Sequence, residues 1–330
     1  MAEPAFIQNL TLTQFRSYGL MDVKFDGRPV VLFGQNGAGK TNLLEAVSLL
    51  SPGRGLRRAK LSDIARQVDG EIANHWAVSV RLGYLGETEN LDAPTQIGTG
   101  QSPDAPTRRQ IRIDGKNAGG TELAKCLTVN WLTPAQDRLF SGPPTERRKF
   151  FDRLCLIHSP AHGQAHLVYD KARAERGRLF QAGIDDAYWL SALETDMAEY
   201  GARIAHARHI TLGALQQKIE ASELGNFPKA VIRLDGEAEA LYDGGARHGD
   251  VFEFIKTQLQ QDRALDRHAG RTLRGVHKSD LNVAHQGKNM PASDCSTGEQ
   301  KALLIGLVLA HARSQKQAPP ILLLTKSPPT

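Results

Sequence analysis

The chain has 330 residues, of which 40% are hydrophobic and 23% charged, with a net charge of +5. These values predict a soluble globular protein of one large or two ordinary domains, and the mild basicity alone is a weak indicator of a nucleic-acid partner. Cys126, Cys155 and Cys295 are far apart and match no metal-ligand spacing, so we expect buried thiols in a reducing compartment. The N-terminus lacks a secretory pattern and the longest apolar run, 302–310, is too short to span a bilayer. We therefore expect a cytoplasmic protein without a membrane partner.

The first segment of the chain combines strand and helix patterns. Apolar residues alternate along 6–15 and 21–25, which predicts an antiparallel pair of strands. The run PVVLF at 29–33 predicts a buried strand, and helical spacing follows from Lys40. The order is therefore strand, glycine loop and helix.

Further along, alternation predicts strands at 76–86 and 109–116, with a surface loop over 87–107. Helical spacing dominates 146–157 and 166–218. A strand is predicted near Val231, helices over 251–270 and from Ser296, and a final strand at 321–324. These patterns predict an α/β frame with a helical insertion, in which 1–140 and 265–330 form a head domain and 141–264 form a helical lobe.

The motif GQNGAGKT fits the phosphate-loop pattern G-x-x-x-x-G-K-[ST]. Glycines allow several backbone N–H groups to face one anion, and the start of the next helix adds a partial positive charge. Lys40 is expected to reach the β- and γ-phosphates of a nucleotide, and the Thr41 hydroxyl to hold Mg²⁺. The residues predicted to bind the nucleotide are Gly34, Gln35, Asn36, Gly37, Ala38, Gly39, Lys40 and Thr41.

A second helix start, at STGEQ, also has the residue types of an anion site. Hydroxyls and bare backbone N–H groups at Ser296, Thr297 and Gly298 open an apolar helix. Since the phosphate loop already accounts for one nucleotide, this second site is expected to contact the nucleotide of another copy. The alternative is a simple capping box, because Ser296 and Glu299 stand at the spacing S-x-x-E.

Five segments together resemble the RecF family of SMC-like and ABC-type ATPases, and they occur in that family's order along residues 5–324. They are FRSYGLMDVKF, FGQNGAGKTNLLEAVSLLSPGRGLR, LTPAQDRLFSGPPTERRKFFDRL, GVHKSDL and CSTGEQKALLIGLVLA. The resemblance implies an α/β P-loop ATPase head of SMC/ABC type with a mostly helical second lobe. It also implies ATP and Mg²⁺ as cofactors, ATP-dependent homodimerisation on DNA, and a role at gaps alongside RecO and RecR.

The resemblance also assigns roles to individual residues. It implies that Ser296, Thr297, Gly298, Glu299 and Gln300 form a signature reaching the partner's γ-phosphate, and that Gln136 senses Mg²⁺ or water. His277, Lys278 and Asp280 match a family motif near the head, or a surface turn.

Clustered basic residues are candidates for contacts with DNA phosphates. Eight lie between residues 141 and 180, against four acidic residues: Arg147, Arg148, Lys149, Arg153, Lys171, Arg173, Arg176 and Arg178. Arg147, Arg148, Lys149 and Arg153 are the strongest candidates in this block, with a solvated helix face as the alternative. Arg54, Arg57 and Arg58 could instead touch nucleotide or DNA.

The final strand raises a question about catalysis. In P-loop ATPases the corresponding strand ends in carboxylates that hold Mg²⁺ and polarise water, whereas this one leads to Thr325 and Lys326. The residues 325–330 can be coded so that one extra guanine restores Asp-Glu-Val-Ala-Ala-Asp, which suggests a frameshift or truncation. The expectation is nucleotide binding without intact hydrolysis. A different P-loop enzyme such as a kinase, or a non-enzymatic DNA or partner scaffold, remains an alternative.

Overall fold

The computed structural model describes residues 5–84, 96–222, 227–314 and 320–325. It separates into two compact units, residues 1–134 with 315–330 and residues 135–314. The sequence prediction placed 265–314 in the head, whereas the structure groups these residues with the helical unit. The physical reason is packing inside that unit, where the helix over 297–314 lies against the long helix over 187–220.

The first unit is built on an antiparallel sheet. Its elements are β1 (Ala5–Phe15), β2 (Tyr18–Lys24), α1 (Lys40–Ser48), β3 (Gln67–Val68), β4 (Glu71–Ile72), β5 (Trp76–Tyr84), β6 (Gln96–Gln101), β7 (Gln110–Ile113), β8 (Lys116–Asn117), α2 (Gly120–Cys126), β9 (Val129–Leu132) and β13 (Ile321–Leu324). The main sheet has the order β2-β1-β5-β6-β7-β8, and β13 pairs in parallel with β9. The predicted first hairpin, the strands after residues 76 and 109, and the final strand are confirmed.

The core of this unit lies between the sheet and α1. Residues at alternate positions of β1 and β5, including Leu10, Leu12 and Val78, are fully buried. Phe15 packs edge-on against Trp76 with ring centroids 5.8 Å apart. The apolar face of α1, with Leu43 among its residues, completes the same cluster. Strand periodicity and helix periodicity thus meet in one core.

Two sequence predictions in this unit were wrong. The run 29–33 forms no strand, and Val31 and Phe33 are 82% and 91% exposed, because no strand of the described residues pairs alongside it. The predicted loop over 87–107 contains β6, while 85–95 lie outside the described residues. Gly100 is one of the residues that made β6 resemble a loop in composition. The strand requires glycine at this position, because a Cβ would lie 2.3 Å from the Trp76 carbonyl oxygen.

The second unit is mostly helical. Its elements are α3 (Pro144–His158), α4 (Ala161–Gln181), α5 (Ala187–Glu220), β10 (Ala230–Asp235), α6 (Glu237–Asp243), α7 (His248–Gln261), α8 (Arg263–Ala269), β11 (Asp280–His285), β12 (Met290–Pro291) and α9 (Thr297–Ser314). Helix α5 is capped by Asp186, whose carboxylate accepts the N–H groups of Tyr188 and Trp189 at 3.0 Å. The predicted helices and the strand at Val231 are confirmed. No helix of the described residues is long and apolar enough to cross a bilayer.

Two arginines are fully buried in this unit and are neutralised by carboxylates. Arg176 on α4 contacts Glu194 at 3.1 Å and Asp266 at 2.5 Å, and also donates to the Leu259 carbonyl. Arg208 on α5 pairs with Asp152 and Glu239, each at 2.7 Å. Arg176 therefore cannot contact DNA phosphates, which corrects its place among the basic candidates.

Removing the buried guanidinium should destabilise the helical unit strongly. We expect Arg176→Ala to lower the free energy of unfolding by about 3 to 5 kcal/mol, because it leaves buried carboxylates without a partner. Arg178→Ala is the matched control on the same helix, since Arg178 is 68% exposed and its ion pair among the described residues is with Glu175, one turn away. It should change stability by less than about 0.5 kcal/mol. Equal losses in urea unfolding of the two variants would contradict this account of Arg176.

Candidate functional site

The phosphate loop has the backbone conformation that its glycines permit. Gly34, Gly37 and Gly39 have φ values of 145°, 87° and 90°, in the left-handed region that other residues avoid. Residues 34–38 are exposed, and α1 begins at Lys40. The Lys40 ammonium donates to the carbonyl oxygens of Gly34 and Gln35, both at 2.7 Å. The loop and its lysine therefore form one local unit at the start of a helix.

The β1–β2 turn supports this loop from one side. A Cβ at Gly39 would lie 2.5 Å from the Tyr18 hydroxyl oxygen and 3.2 Å from Ser17 Oγ. Asn42, in the first turn of α1, donates to Ser17 Oγ at 3.0 Å. Burial raises the pKa of Tyr18, which keeps its hydroxyl protonated. Gly39 is thus required by a close contact as well as by its backbone angle.

A buried carboxylate on α1 joins this turn to the loop that follows the helix. Glu45 is only 2% exposed and receives two bonds from Arg16, at 2.6 and 2.9 Å. Arg57 contacts the same carboxylate at 3.2 Å and donates to Asn42 Oδ1 at 3.0 Å. The sequence analysis missed Arg16 and Glu45. The available signal was an acidic residue within the apolar stripe of α1, which requires a buried partner.

The signature segment forms a complete capping box at the start of α9. The Ser296 N–H and hydroxyl donate to Glu299 Oε2 at 3.0 and 2.9 Å, and the Glu299 N–H donates to Ser296 Oγ at 3.4 Å. A hydrogen bond from Lys288 and those from Ser296 lower the pKa of Glu299 to about 2. Glu299 is therefore a carboxylate at neutral pH, and it holds the helix start in place.

The five residues 296–300 differ in exposure: Ser296, Thr297 and Gly298 are exposed, whereas Glu299 and Gln300 make the contacts that hold the helix start. Gln300 is buried and donates to the carbonyls of Ser293 and Cys295 at 3.2 and 2.9 Å. Its own carbonyl accepts the Ser141 hydroxyl at 3.3 Å. Thr297 and Gly298 are exposed, as is Ser296. Glu299 and Gln300 thus shape the helix start, and the three residues before them form its accessible surface.

The basic candidates on α3 are mostly engaged within their own unit. Arg147 uses all three guanidinium nitrogens, pairing with Asp280 at 2.7 and 2.9 Å and donating to two carbonyls. Arg148 donates to the Ser279 carbonyl at 2.9 Å, and burial lowers its pKa. Lys149 pairs with Glu146 at 2.7 Å but stays 47% exposed.

The remaining candidates of this unit lie at defined positions. The Arg153 guanidinium lies 5.5 Å from the centroid of the Phe150 ring. His277 bonds Tyr169 at 2.9 Å, and burial lowers its pKa to about 3. Gln136 lies half-buried in a short 3₁₀ turn, Pro134–Arg138. His277 and Asp280 therefore hold the helical unit together.

The first unit contains a cavity of about 660 Å³ beside the end of α1, with cationic side chains around an apolar floor. Arg54 and Lys60 line it and are exposed. Arg109 lines it as well, and donates to the carbonyls of Gly53 and Ser51 at 2.7 and 3.1 Å. Burial lowers the pKa of Arg109 to about 10, so it remains cationic at neutral pH. Sequence reasoning found Arg54 but missed Arg109 and Lys60.

The end of β13 carries a hydroxyl where carboxylates would be needed for hydrolysis. The Thr325 N–H and hydroxyl both bond the Leu132 carbonyl of β9, at 3.2 and 2.9 Å. Lys326 lies outside the described residues. The described strand end therefore presents no acidic side chain.

The fold and the phosphate loop define a P-loop protein of the SMC class, and sequence comparison agrees. Residues 6–325 match the family described as the RecF/RecN/SMC N terminal domain. The DNA replication and repair protein RecF of Caulobacter vibrioides is 45% identical over 334 residues, covering 98% of this chain and 85% of that relative. RecF of Mesorhizobium japonicum is 47% identical over 331 residues, with 98% and 84% covered. The chain therefore belongs to the RecF family.

Solved structures confirm the fold. A structure of the recombination mediator protein RecF in the RecFOR pathway matches with a TM-score of 0.84 and 22% identity, covering 98% of this chain and 85% of that one. A second, of RecF-ATP, matches with a TM-score of 0.80 at 22% identity, covering 98% and 86%. The predicted α/β P-loop head with a helical second part is thus confirmed.

The two glycines at 37 and 39 provide a matched test of the loop. Both have positive φ, but no described atom lies within 4 Å of a Cβ at Gly37, whereas a Cβ at Gly39 clashes with Tyr18. Gly37→Ala should cost about 1 to 2 kcal/mol from backbone strain alone. Gly39→Ala should cost more, because the Tyr18 side chain must also move. Thermal unfolding of both nucleotide-free variants checks this order, and equal losses would contradict the role of Tyr18.

Proposed function

We propose that this protein is an ATP-dependent DNA-binding switch of recombinational repair and replication-fork maintenance, which binds single-stranded or gapped DNA and dimerises on ATP. The observation that carries the proposal is the phosphate loop with its left-handed glycines and Lys40, in a member of the RecF family. The names of the relatives, DNA replication and repair protein RecF, support the biological role. Resemblance to the family also suggests RecO and RecR as partners.

The residues of the loop fit an ATP phosphate chain. Residues 34–38 are exposed to solvent, whereas Gly39 is buried. No atom of the described residues lies within 4 Å of a Cβ placed at Gly37, so an anion has room there. Lys40 would exchange its bonds to the loop carbonyls for phosphate oxygens, and the exposed Thr41 hydroxyl would hold Mg²⁺. When bound, Mg²⁺ would neutralise phosphate charge. The solved RecF-ATP structure supports ATP as the nucleotide.

The signature segment would complete the site of a second copy. Ser296, Thr297 and Gly298 are exposed at the N-terminal end of an 18-residue helix, whose partial positive charge favours an anion. Glu299 currently accepts the Ser296 N–H and hydroxyl, so a γ-phosphate would compete with this carboxylate for the same donors. The capping box and the phosphate contact are therefore two states of one motif.

Hydrolysis is expected to be weak or absent, because β13 leads to Thr325 rather than to a carboxylate. Thr325 can neither replace an Mg²⁺-binding carboxylate nor act as a general base, and its hydroxyl is engaged by Leu132. A scaffold that binds DNA without responding to ATP is the second candidate function, and this strand end favours it.

The cationic cavity beside α1 is the better candidate for DNA phosphates than the α3 arginines. Arg54 and Lys60 are exposed there, whereas Arg147 and Arg148 bond their own unit. The flanking stretches 53–60 and 105–112 contain four and three Lys or Arg residues, and neither contains Asp or Glu. Such a surface follows phosphates without reading sequence.

Nucleotide binding and dimerisation can be separated by two variants. Lys40→Ala should weaken ATP binding by about 100-fold, because it removes the loop's only ammonium group. Ser296→Arg should keep ATP binding but abolish the ATP-induced dimer, since the side chain would obstruct the signature face. Titration with ATP measures nucleotide binding. Mass photometry with and without ATP measures dimerisation. If dimerisation is equal with and without ATP, the proposal of an ATP-dependent switch is wrong and the scaffold function remains.

DNA binding is tested by two matched double variants of the first unit. Arg54→Gln with Lys60→Gln should weaken binding to gapped DNA by about tenfold and reduce the slope of log K against log salt by about 1 to 2. Lys24→Gln with Arg81→Gln removes the same charge from another cavity, of about 500 Å³, and should change affinity by less than about twofold. Fluorescence anisotropy at several salt concentrations measures both. Similar losses in the two would show a diffuse charge effect rather than a site.

A further inference from the structure

A compact group of metal-ligating side chains lies in the helical unit, away from the phosphate loop. Helix α3 carries Asp152 and Cys155 one turn apart, and α4 carries His162 and His166 one turn apart. His162 Nε2 lies 3.1 Å from Asp152 Oδ1 and 3.2 Å from His166 Nε2, and His166 Nε2 lies 3.4 Å from the same carboxylate oxygen. The Cys155 sulfur lies within 4.8 Å of the ligand atoms of Asp152 and His162.

Hydrogen bonds account for at most two sides of this triangle of atoms, because each Nε2 carries at most one hydrogen; if both imidazoles donate to Asp152 Oδ1, the two nitrogens lie 3.2 Å apart with no hydrogen between them. If His162 Nε2 carries a proton and donates it to Asp152, it has no lone pair for His166. If His162 Nε2 is unprotonated, its lone pair faces the carboxylate oxygen. Asp152 Oδ1 also accepts the Arg208 Nε–H at 2.7 Å, so three nitrogen atoms surround this one oxygen. Either assignment leaves one close pair of atoms without a hydrogen between them.

A metal ion would account for all three sides, because all three atoms can then direct lone pairs at one centre. Zn–N bonds of about 2.0 to 2.1 Å place tetrahedral ligands about 3.3 Å apart, and the three observed edges lie close to this value. The Cys155 sulfur, which lies within 4.8 Å of the ligand atoms of Asp152 and His162, would be the fourth ligand. We propose that Asp152, Cys155, His162 and His166 bind a structural divalent transition metal of the zinc type.

The charges around the group are compatible with this ion. Arg208 is buried against Asp152 and Glu239, so the cluster without metal carries one positive and two negative charges. A divalent ion adds two positive charges and a Cys155 thiolate adds one negative charge. The cluster would then carry three positive and three negative charges. The thiol would lose its proton on binding, as coordinating thiols do. Arg208 then bonds the coordinating carboxylate and fixes its orientation.

The surroundings also permit entry and support of the ion. The His166 side chain is 28% exposed, whereas those of His162 and Arg208 are buried. The buried His162 Nδ1 has no hydrogen-bond partner among the described residues. His162 also lines a cavity of about 430 Å³, which has room for a water that would accept this N–H. The ion would tie α3 to α4 and, through Asp152 and Arg208, to α5.

Cobalt binding to the full chain tests the site. Protein stripped with a chelator should take up an equimolar amount of Co²⁺ and show the intense visible bands of tetrahedral cobalt with a thiolate charge-transfer band. Zn²⁺ should displace it. His166→Gln should weaken binding by about 100-fold or more. His209→Gln is the matched control, because His209 is similarly exposed at 34% and pairs with Asp243 outside the group.

The cysteine provides an independent readout. Cys155→Ser should remove the charge-transfer band, while Cys295→Ser, which replaces another buried thiol, should keep it. Circular dichroism identifies any variant that fails to fold. If the Cys155 variant does not fold, the His166 variant still tests the site, because His166 is partly exposed and its replacement should be tolerated. Failure of the wild-type protein to bind Co²⁺ or Zn²⁺, or equal affinity in His166→Gln and His209→Gln, would overturn the site. Neither result bears on ATP or DNA binding.

Discussion

The ion pair between Glu45 and Arg16 is the interaction on which the position of the phosphate loop depends. Glu45 lies on the inner face of α1, where a lone carboxylate would be costly to bury. Arg16 and Arg57 neutralise it from the β1–β2 turn and from the loop after α1. One buried charge thus joins two segments to the helix that begins at Lys40. Because the phosphate loop leads directly into that helix, its position follows from this pair.

The sequence predicted most elements whose residues pack by a simple period. The alternation of β1 and β5 and the helical spacing of α3 to α5 each bury one face, so pattern and structure agree. The prediction failed at 29–33, where an apolar run has no neighbouring strand in the described residues to hydrogen-bond with. It also failed at β6, where Gly100 has a packing reason that composition does not reveal.

The candidate site was predictable to a similar extent and for a related reason. The loop motif is local in sequence, so its residues could be named directly. The support from Tyr18, Glu45 and Arg109 depends on contacts between distant segments, and no spacing rule encodes these. The same limit applies to the group of Asp152, Cys155, His162 and His166, because each helix supplies only two of these four side chains, one turn apart. The pairing of α3 with α4 creates the site.

The arginines of the two units show why charge counts alone are poor guides to DNA binding. In the helical unit Arg147, Arg176 and Arg208 are matched by carboxylates, so their charges stabilise the fold and add little to the outer field. In the first unit, the stretches 53–60 and 105–112 contain no acidic residue of their own. Arg57 is held by Glu45, but Arg54 and Lys60 remain exposed at the cavity. The exposed Arg54 and Lys60 therefore contribute more to the field outside the protein than arginines whose charge is matched by a buried carboxylate.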